Sequence, residues 1–211
     1  MPKFIHIERP IELEFLQAAQ IVSLLTTFTF SSQNLGVASA DRRIVVTMRG
    51  RKLAGGTVSS ATIGGVAATI HINRDQASGS TAIISAIVPT GTTGDIVINW
   101  SQSQAVTIIS AYSIKGETSS TPDFTSTDYT SPLDVTPTIS GLTAIIAAAG
   151  FFSASTTCTY GGTLGLVENS DQSGEDCSYS SASLLTSGSG NVTATPLGIS
   201  NSPSLEVIGW K

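Results

Sequence analysis

Apolar and polar positions alternate with period two along much of this chain. Gly, Pro, Ser or Asn cuts the alternation about every eight to twelve residues. TTFTFSS (Thr26–Ser32) places Phe28 and Phe30 on one face. RIVVTMRG (Arg43–Gly50) is an unbroken β-branched and apolar run, expected of a strand covered on both faces. TVSSATI and VAATIHI flank Gly64-Gly65, a pair that suits a two-residue hairpin turn needing positive φ. TAIISAIV stops at Pro89, IVINW alternates, and AVTIISAYSIKG (Ala105–Gly116) reads as another buried strand. No useful stretch after residue 25 keeps the period of a helix. The pattern predicts an all-β protein, an antiparallel β-sandwich of jelly-roll type.

The second half repeats the first. DRRIVVTMRG, ending at Gly50, is answered by GLTAIIAAAG, ending at Gly150. VSSATIGGVAATIH (58–71) is answered by STTCTYGGTLGLVE (155–168), and NRDQ (73–76) by NSDQ (169–172). IVPTGTTGDIVIN (87–99) returns as LLTSGSGNVTATP (184–196), and AVTIISAYSIKG more faintly as PSLEVIGWK (203–211). The Gly-Gly pairs lie 97 positions apart and the Asp-Gln pairs 96. A repeat this long implies a duplicated β-unit rather than a solenoid. Its central strands are Arg43–Met48 and Val106–Ile114, with Thr143–Ala149 and Leu205–Trp210 as their mates. One sandwich with a pseudo-twofold, or two small ones of the same kind, both satisfy the pattern.

Residues 1–25 stand apart. IELEF alternates like a half-buried strand, LQAAQIVSLL suits a helical turn or two, and nothing comparable precedes the second repeat. The segment is expected to be an N-terminal arm. Its apolar side chains Phe4, Ile5, Ile7, Ile11, Leu13 and Phe15 are then candidates for docking, either on a neighbour or on the edge of the sandwich. The duplicated sandwich occupies 26–211: repeat one at about 26–116, a Pro/Ser/Thr-rich connection at 117–137, and repeat two at about 138–211.

Composition narrows the partners. Charged residues are 12% and apolar residues 40%, too few charges and too much apolar content for a disordered chain. The net charge is −5, and the short cluster Arg42, Arg43, Arg49, Arg51, Lys52 reads as a local basic patch beside Asp41. No nucleic acid is expected as partner. The longest apolar run, Leu142–Phe152, is about half a bilayer span, so no membrane partner is expected. Met1-Pro2-Lys3 does not open a signal peptide, which predicts synthesis and retention in a cytoplasm until assembly or lysis. Cys158 and Cys177 are a possible disulfide or two reduced thiols; their spacing is not that of a zinc site.

Chemistry-bearing residues are sparse. His6 and His71 lack ligand or triad spacing, and no G-x-S-x-G occurs. Glu168, Asp171, Glu175 and Asp176 cluster without the order of a calcium loop and read as a solvated polar loop. Trp100 and Trp210 end strands and are expected in packing. No catalytic residue, cofactor or metal is expected.

The signature F-x-x-x-N-L-G-x-A-x-A-D-R-R-I-V-V, then V-S-S-A-T-I-G-G-V-A-A-T, then V-P-T-G-T-T-G-D-I-V-I-N resembles a family of tailed-bacteriophage virion proteins, also found in prophages of alphaproteobacteria. The likeness covers roughly residues 26–116 well and the second half loosely. It implies a β-sandwich subunit displayed on a virion as a capsid decoration, spike, neck or collar, or tail-fibre component. Implied partners are other virion proteins and further copies of the chain in a homo-oligomer. A host surface glycan, read by loop aromatics such as Phe124 and Tyr129, is the alternative. No catalytic residue comes with the resemblance.

Overall fold

The computed structural model describes residues 10–52, 56–76, 79–117, 119–152, 157–174, 176–197 and 201–211, with the side chains of Lys52 and Asn201 outside that set. The first half holds β1 (Glu12–Asn34), β2 (Arg43–Lys52), β3 (Val58–Ile63), β4 (Val66–Ala67), β5 (Thr69–Gln76), β6 (Gly79–Ile87) and β7 (Thr93–Lys115). They form one antiparallel sheet in the order β4-β3-β7-β2-β6-β5, with β1 along the other edge of β7. The sheet curls into a nearly closed barrel. Asn73 of β5 stitches β5 to β3: its carbonyl accepts from Val58 N at 2.9 Å, and its amide donates to Val58 O at 2.8 Å. Gly64 and Gly65 close the β3–β4 hairpin at φ 57° and 80°, the primed turn that the pair predicts.

The second half holds β8 (Phe124–Asp128), β9 (Leu133–Val135), β10 (Thr143–Phe152), β11 (Thr157–Gly161), β12 (Val167–Gly174), β13 (Cys177–Thr186), β14 (Val192–Leu197) and β15 (Asn201–Trp210). One sheet runs β12-β13-β10-β15-β8; a second runs β11-β14-β9. This is the first half again. The order β5-β6-β2-β7 matches β12-β13-β10-β15, and β3 beside β7 matches β11 beside β14. All five repeated segments fall on matching strands. Within each half the two central strands are antiparallel neighbours, β2 with β7 and β10 with β15, so each holds the same place as its mate in the other half.

Two expectations about boundaries change. Residues 12–25 are not an appended arm: they are the first part of β1, hydrogen-bonded along β7 from Glu12↔Lys115 onward. LQAAQIVSLL is strand, not helix, because β7 supplies a ladder that overrides local preference. The segment also has a counterpart. β8 lies beside β15 as the start of β1 lies beside the end of β7, and β9 lies beside β14 as the end of β1 lies beside the start of β7. The connection 117–137 therefore contains the opening strands of the second repeat.

The central strands β2, β6, β10, β13 and β15 are buried on both faces over most of their length. In β2, Ile44, Val46 and Met48 enter the first core with Phe28, Phe30 and Trp100, while Val45 faces the other way. In β10, Ile145, Ala147 and Ala149 enter the second core, while Ala144, Ile146 and Ala148 face the first half. Between the halves Val45, Ile83, Tyr112, Ile114, Ile146, Ile208 and Trp210 form a third interior. The chain is thus a curled first-half sheet and a two-sheet second half, packed face to face across a buried seam.

Candidate functional site

The seam gathers most of the chemistry that the sequence offers. On β2 the odd positions Arg43, Val45, Thr47, Arg49 and Arg51 point to it, because the even ones fill the barrel. At one end Arg43 Nε donates to both oxygens of Glu117 at 2.7 and 2.8 Å, and its Nη1 donates to Ser85 Oγ at 2.9 Å. Ser85 Oγ also bonds His71 Nε2 at 2.7 Å. The Arg43 guanidinium lies 5.5 Å over the Trp210 ring, and His71 meets that ring edge-on at 5.4 Å. Burial, then the Arg43 charge, pushes His71 down to about 4, while burial holds Glu117 above its ordinary value against the pull of Arg43.

A serine bonded to a histidine is half of a nucleophilic relay. Here Ser85 is 1% exposed and its oxygen already receives Arg43, so a substrate carbonyl cannot reach it. The pair acts as a lock between β5, β6 and β2.

At the other end Glu206 on β15 is fully buried and accepts from Thr81 of β6 at 2.5 Å. Burial raises its carboxyl to about 7, opposed by Thr81 and Arg49. Arg49 reaches from β2 to Ser204 Oγ and Ser202 O, each at 3.3 Å. Between the two ends Thr47 bonds the Tyr179 hydroxyl, and Ser181 Oγ donates to Ser110 Oγ at 2.9 Å. Arg51 pairs with Asp176 across the rim at 3.2 Å.

The basic cluster is therefore no surface patch. Arg43 and Arg49 are seam residues. Arg42 is fully buried on a different errand: it donates to the carbonyls of Gly36, Val88, Thr90 and Gly91 at 2.7–2.9 Å. It clamps the loop after β1 to the loop before β7. An alternation of Arg with Val and Thr through RIVVTMRGR was the available signal, since a strand buried on both faces must pair any charge it carries.

Cys158 and Cys177 are free thiols. Cys158 lies in the second core and Cys177 in the seam, on opposite faces of the β12-β13-β10-β15-β8 sheet, so no disulfide joins them. Glu168 and Asp171 sit exposed on strand β12 rather than in a loop, Asp176 pairs with Arg51, and Glu175 lies outside the described residues. No group of three metal-ligating side chains forms among the described residues. His6 lies outside them as well. Trp100 packs in the first core, its indole donating to Thr107 Oγ1 at 3.0 Å, and Trp210 packs in the seam.

Phe124 and Tyr129 do not make an exposed aromatic platform. Phe124 packs against the second core, and Tyr129 is half-buried under Arg74, whose guanidinium sits 4.4 Å from the ring. Of the six apolar residues proposed for docking, Ile11 is buried in the seam cluster with Leu13 and Phe15 packed against it, and Phe15 meets Tyr112 at 5.4 Å. Phe4, Ile5 and Ile7 lie outside the described residues. The exposed apolar side chains of β1 come later: Val22, Leu24 and Leu25 are 51%, 59% and 41% exposed.

No protein-family model matches the chain. No curated protein matches it either. Among solved structures, that of PBSX exported protein XepA, a phage-related protein, is similar at a TM-score of 0.28 and 12% identity, over 94% of this chain and 85% of that one. A likeness so loose carries no argument about function.

Proposed function

We propose that this chain is a non-enzymatic structural subunit of a tailed-phage virion, displayed on the capsid or neck exterior. It works by self-association and by docking on other virion proteins. The sequence resemblance of residues 26–116 motivates the reading. One observation carries it further: His71 against the Trp210 ring, Glu206 on Thr81, Tyr179 on Thr47 and Tyr112 in the seam cluster, all groups capable of acid–base chemistry, are taken up in the contact between the halves. The exterior is built differently. Thr27 donates to Asn99 at 2.8 Å and Asn99 to Ser60 at 3.0 Å on the outer face of the first half. Thr157, Thr159 and Thr195 line the outer face of the second. Such faces stay wet without charge, and the sheet edges are left as the places where neighbours meet.

The test is direct. Particles purified from cells producing the phage should contain the chain at a fixed stoichiometry by mass spectrometry. A cryo-electron microscopy map should show the two packed halves outside the head or neck. Particles that lack the chain overturn the proposal.

A further inference from the structure

We propose that the bent segment Val22–Thr27 of β1 is a self-association surface, on which the same segment of a second copy of this chain seats. The inference rests on the assembly reading above and names the partner for it.

β7 occupies one edge of β1, and no described strand occupies the other. The β1–β7 register breaks between Val22 and Leu25 and again between Leu25 and Thr27. Ser23, Leu24 and Thr26 are left with no residue opposite them in β7. Six consecutive residues, 22–27, are exposed. Away from this bend the open side is sealed. β1 doubles over so that Gln17 Nε2 donates to Gln33 Oε1 at 2.6 Å, and Gln17 Oε1 accepts from Asn34 N at 3.2 Å. The bend is the apex left outside that seal.

Other edges are blunted in the usual ways. β4 and β11 are short. β5 carries Arg74 and Asp75, β8 Asp128, β9 Asp134, and β12 Glu168 and Asp171. β1 carries charge only at its start, at Glu12 and Glu14: from Phe15 to Ala40 there is no charged residue. This selects the partner. Copies of a chain with net charge −5 repel wherever acids face each other, and they can approach at this neutral stretch. A charged partner finds nothing to pair with here. An identical neutral, apolar segment related by a two-fold axis matches by construction. Three apolar side chains per copy fall short of the roughly 800 Å² per partner of a standard interface, so the contact is weak in dilute solution and accumulates in an assembly.

Sedimentation equilibrium of the full chain, from about 1 μM to 1 mM, should show a concentration-dependent dimer. Leu24→Lys should weaken it at least about tenfold, and so should Thr26→Lys, which removes no apolar group. Both variants should keep the wild-type melting temperature. A wild type that stays monomeric overturns the proposal, as do variants that dimerise like wild type. Incorporation into particles is scored separately. A monomeric wild type found in particles sinks the self-pairing and leaves the virion reading standing; a dimer absent from particles does the reverse. If the wild type is monomeric and Leu24→Lys drops out of particles, another virion protein occupies the edge and the second copy does not.

Discussion

The two halves share a topology and differ in what they bring to the seam. In the first, β1 and β7 each run 23 residues, bending together round a corner of the barrel. In the second, the same paths are divided into β8 and β9, and into β14 and β15. The first half sends Arg43, Arg49 and Arg51 across from β2 and Tyr112 from β7. The second half meets Arg49 with small residues, Gly150 on β10 and Ser204 on β15, places Trp210 under Arg43, and sends Tyr179 back to Thr47. A two-fold joint between identical units would set Arg49 against its own copy. Gly150 and Ser204 stand there instead, so the joint fits this pair of halves.

Gly50 and Gly150 break or sharpen this contrast most strongly. They match in sequence but face different ways. A Cβ on Gly150 would stand 2.2 Å from Arg49 Nη1 and 2.6 Å from its Cδ, inside the space that the buried guanidinium fills. A Cβ on Gly50 would meet Gln104 Oε1 at 2.8 Å and the Trp100 ring at 3.0 Å, on the barrel side. Gly150→Ala should cost about 3–4 kcal/mol, because it displaces Arg49 from Ser204 and from beside Glu206. Gly50→Ala should cost about 1–2 kcal/mol, because the Gln104 amide can give way. Urea denaturation of both variants decides it. Equal losses would mean that the receiving face is not specialised.

These glycines also show how far the sequence could be read. The repeat located the matching strands from β2 onward and from β10 onward, since strand order follows from which apolar runs recur, but it missed that β8 and β9 answer β1. It did not locate every face. Tyr112 and Trp210 align and both enter the seam; Ala61 and Cys158 align and both enter a core. Along β2 and β10 the alignment that matches the glycines is one residue out, because even positions of β2 fill the first core and odd positions of β10 fill the second. A slip of one residue exchanges the faces of a strand. In runs apolar on both faces, such as IVVTM and AIIAAAG, no polar alternation marks the slip. The seam was hidden for the same reason. So was the open edge of β1, where the uncharged stretch from Phe15 to Ala40 was the available signal.

Glu206 makes the seam sensitive to pH. Its carboxyl titrates at about 7 when folded, against an ordinary value of 4.5. The folded state therefore holds a proton that the unfolded state has released. The stability this contributes is complete below pH 4.5 and is lost as pH rises to about 7; the loss is roughly 3 kcal/mol. Glu206→Gln removes the titration. Its melting temperature relative to wild type should climb between pH 4.5 and 7 and level off above. A difference that stays flat across that range would mean that Arg49 already holds the carboxylate ionised.

His71 acts in the opposite sense. Its folded value of about 4 lies below the ordinary 6.5, so the stability it contributes is present above pH 6.5 and lost as pH falls toward 4. The ring is only partly buried, and solvent screening reduces the effect to about 1–2 kcal/mol. His71→Gln keeps a hydrogen-bonding group near Ser85 and cannot charge. It should lose less stability than wild type on acidification from pH 6.5 to 4. Matching acid profiles for the two proteins would place the acid sensitivity elsewhere.

Tyr179→Phe is the smallest of these changes and tests the middle of the seam. The ring keeps its packing against Val106, Ile108 and Ala148, so only the hydroxyl is removed. The hydroxyl bonds Thr47, whose own oxygen lies 3.4 Å from the Ser110 carbonyl. Deleting one partner of a buried hydrogen bond costs about 1–2 kcal/mol when the other is stranded, and near zero when that partner finds another acceptor. Ser110 O is too long and too shared with the strand ladder to replace the phenol fully. The expected loss is therefore about 1 kcal/mol, without pH dependence between 5 and 8, since burial holds the phenol well above its ordinary range. The double variant Thr47→Val with Tyr179→Phe removes both partners and should recover part of that loss. Additive losses in this cycle would show that the two hydroxyls act independently and that their contact does not hold the centre of the seam.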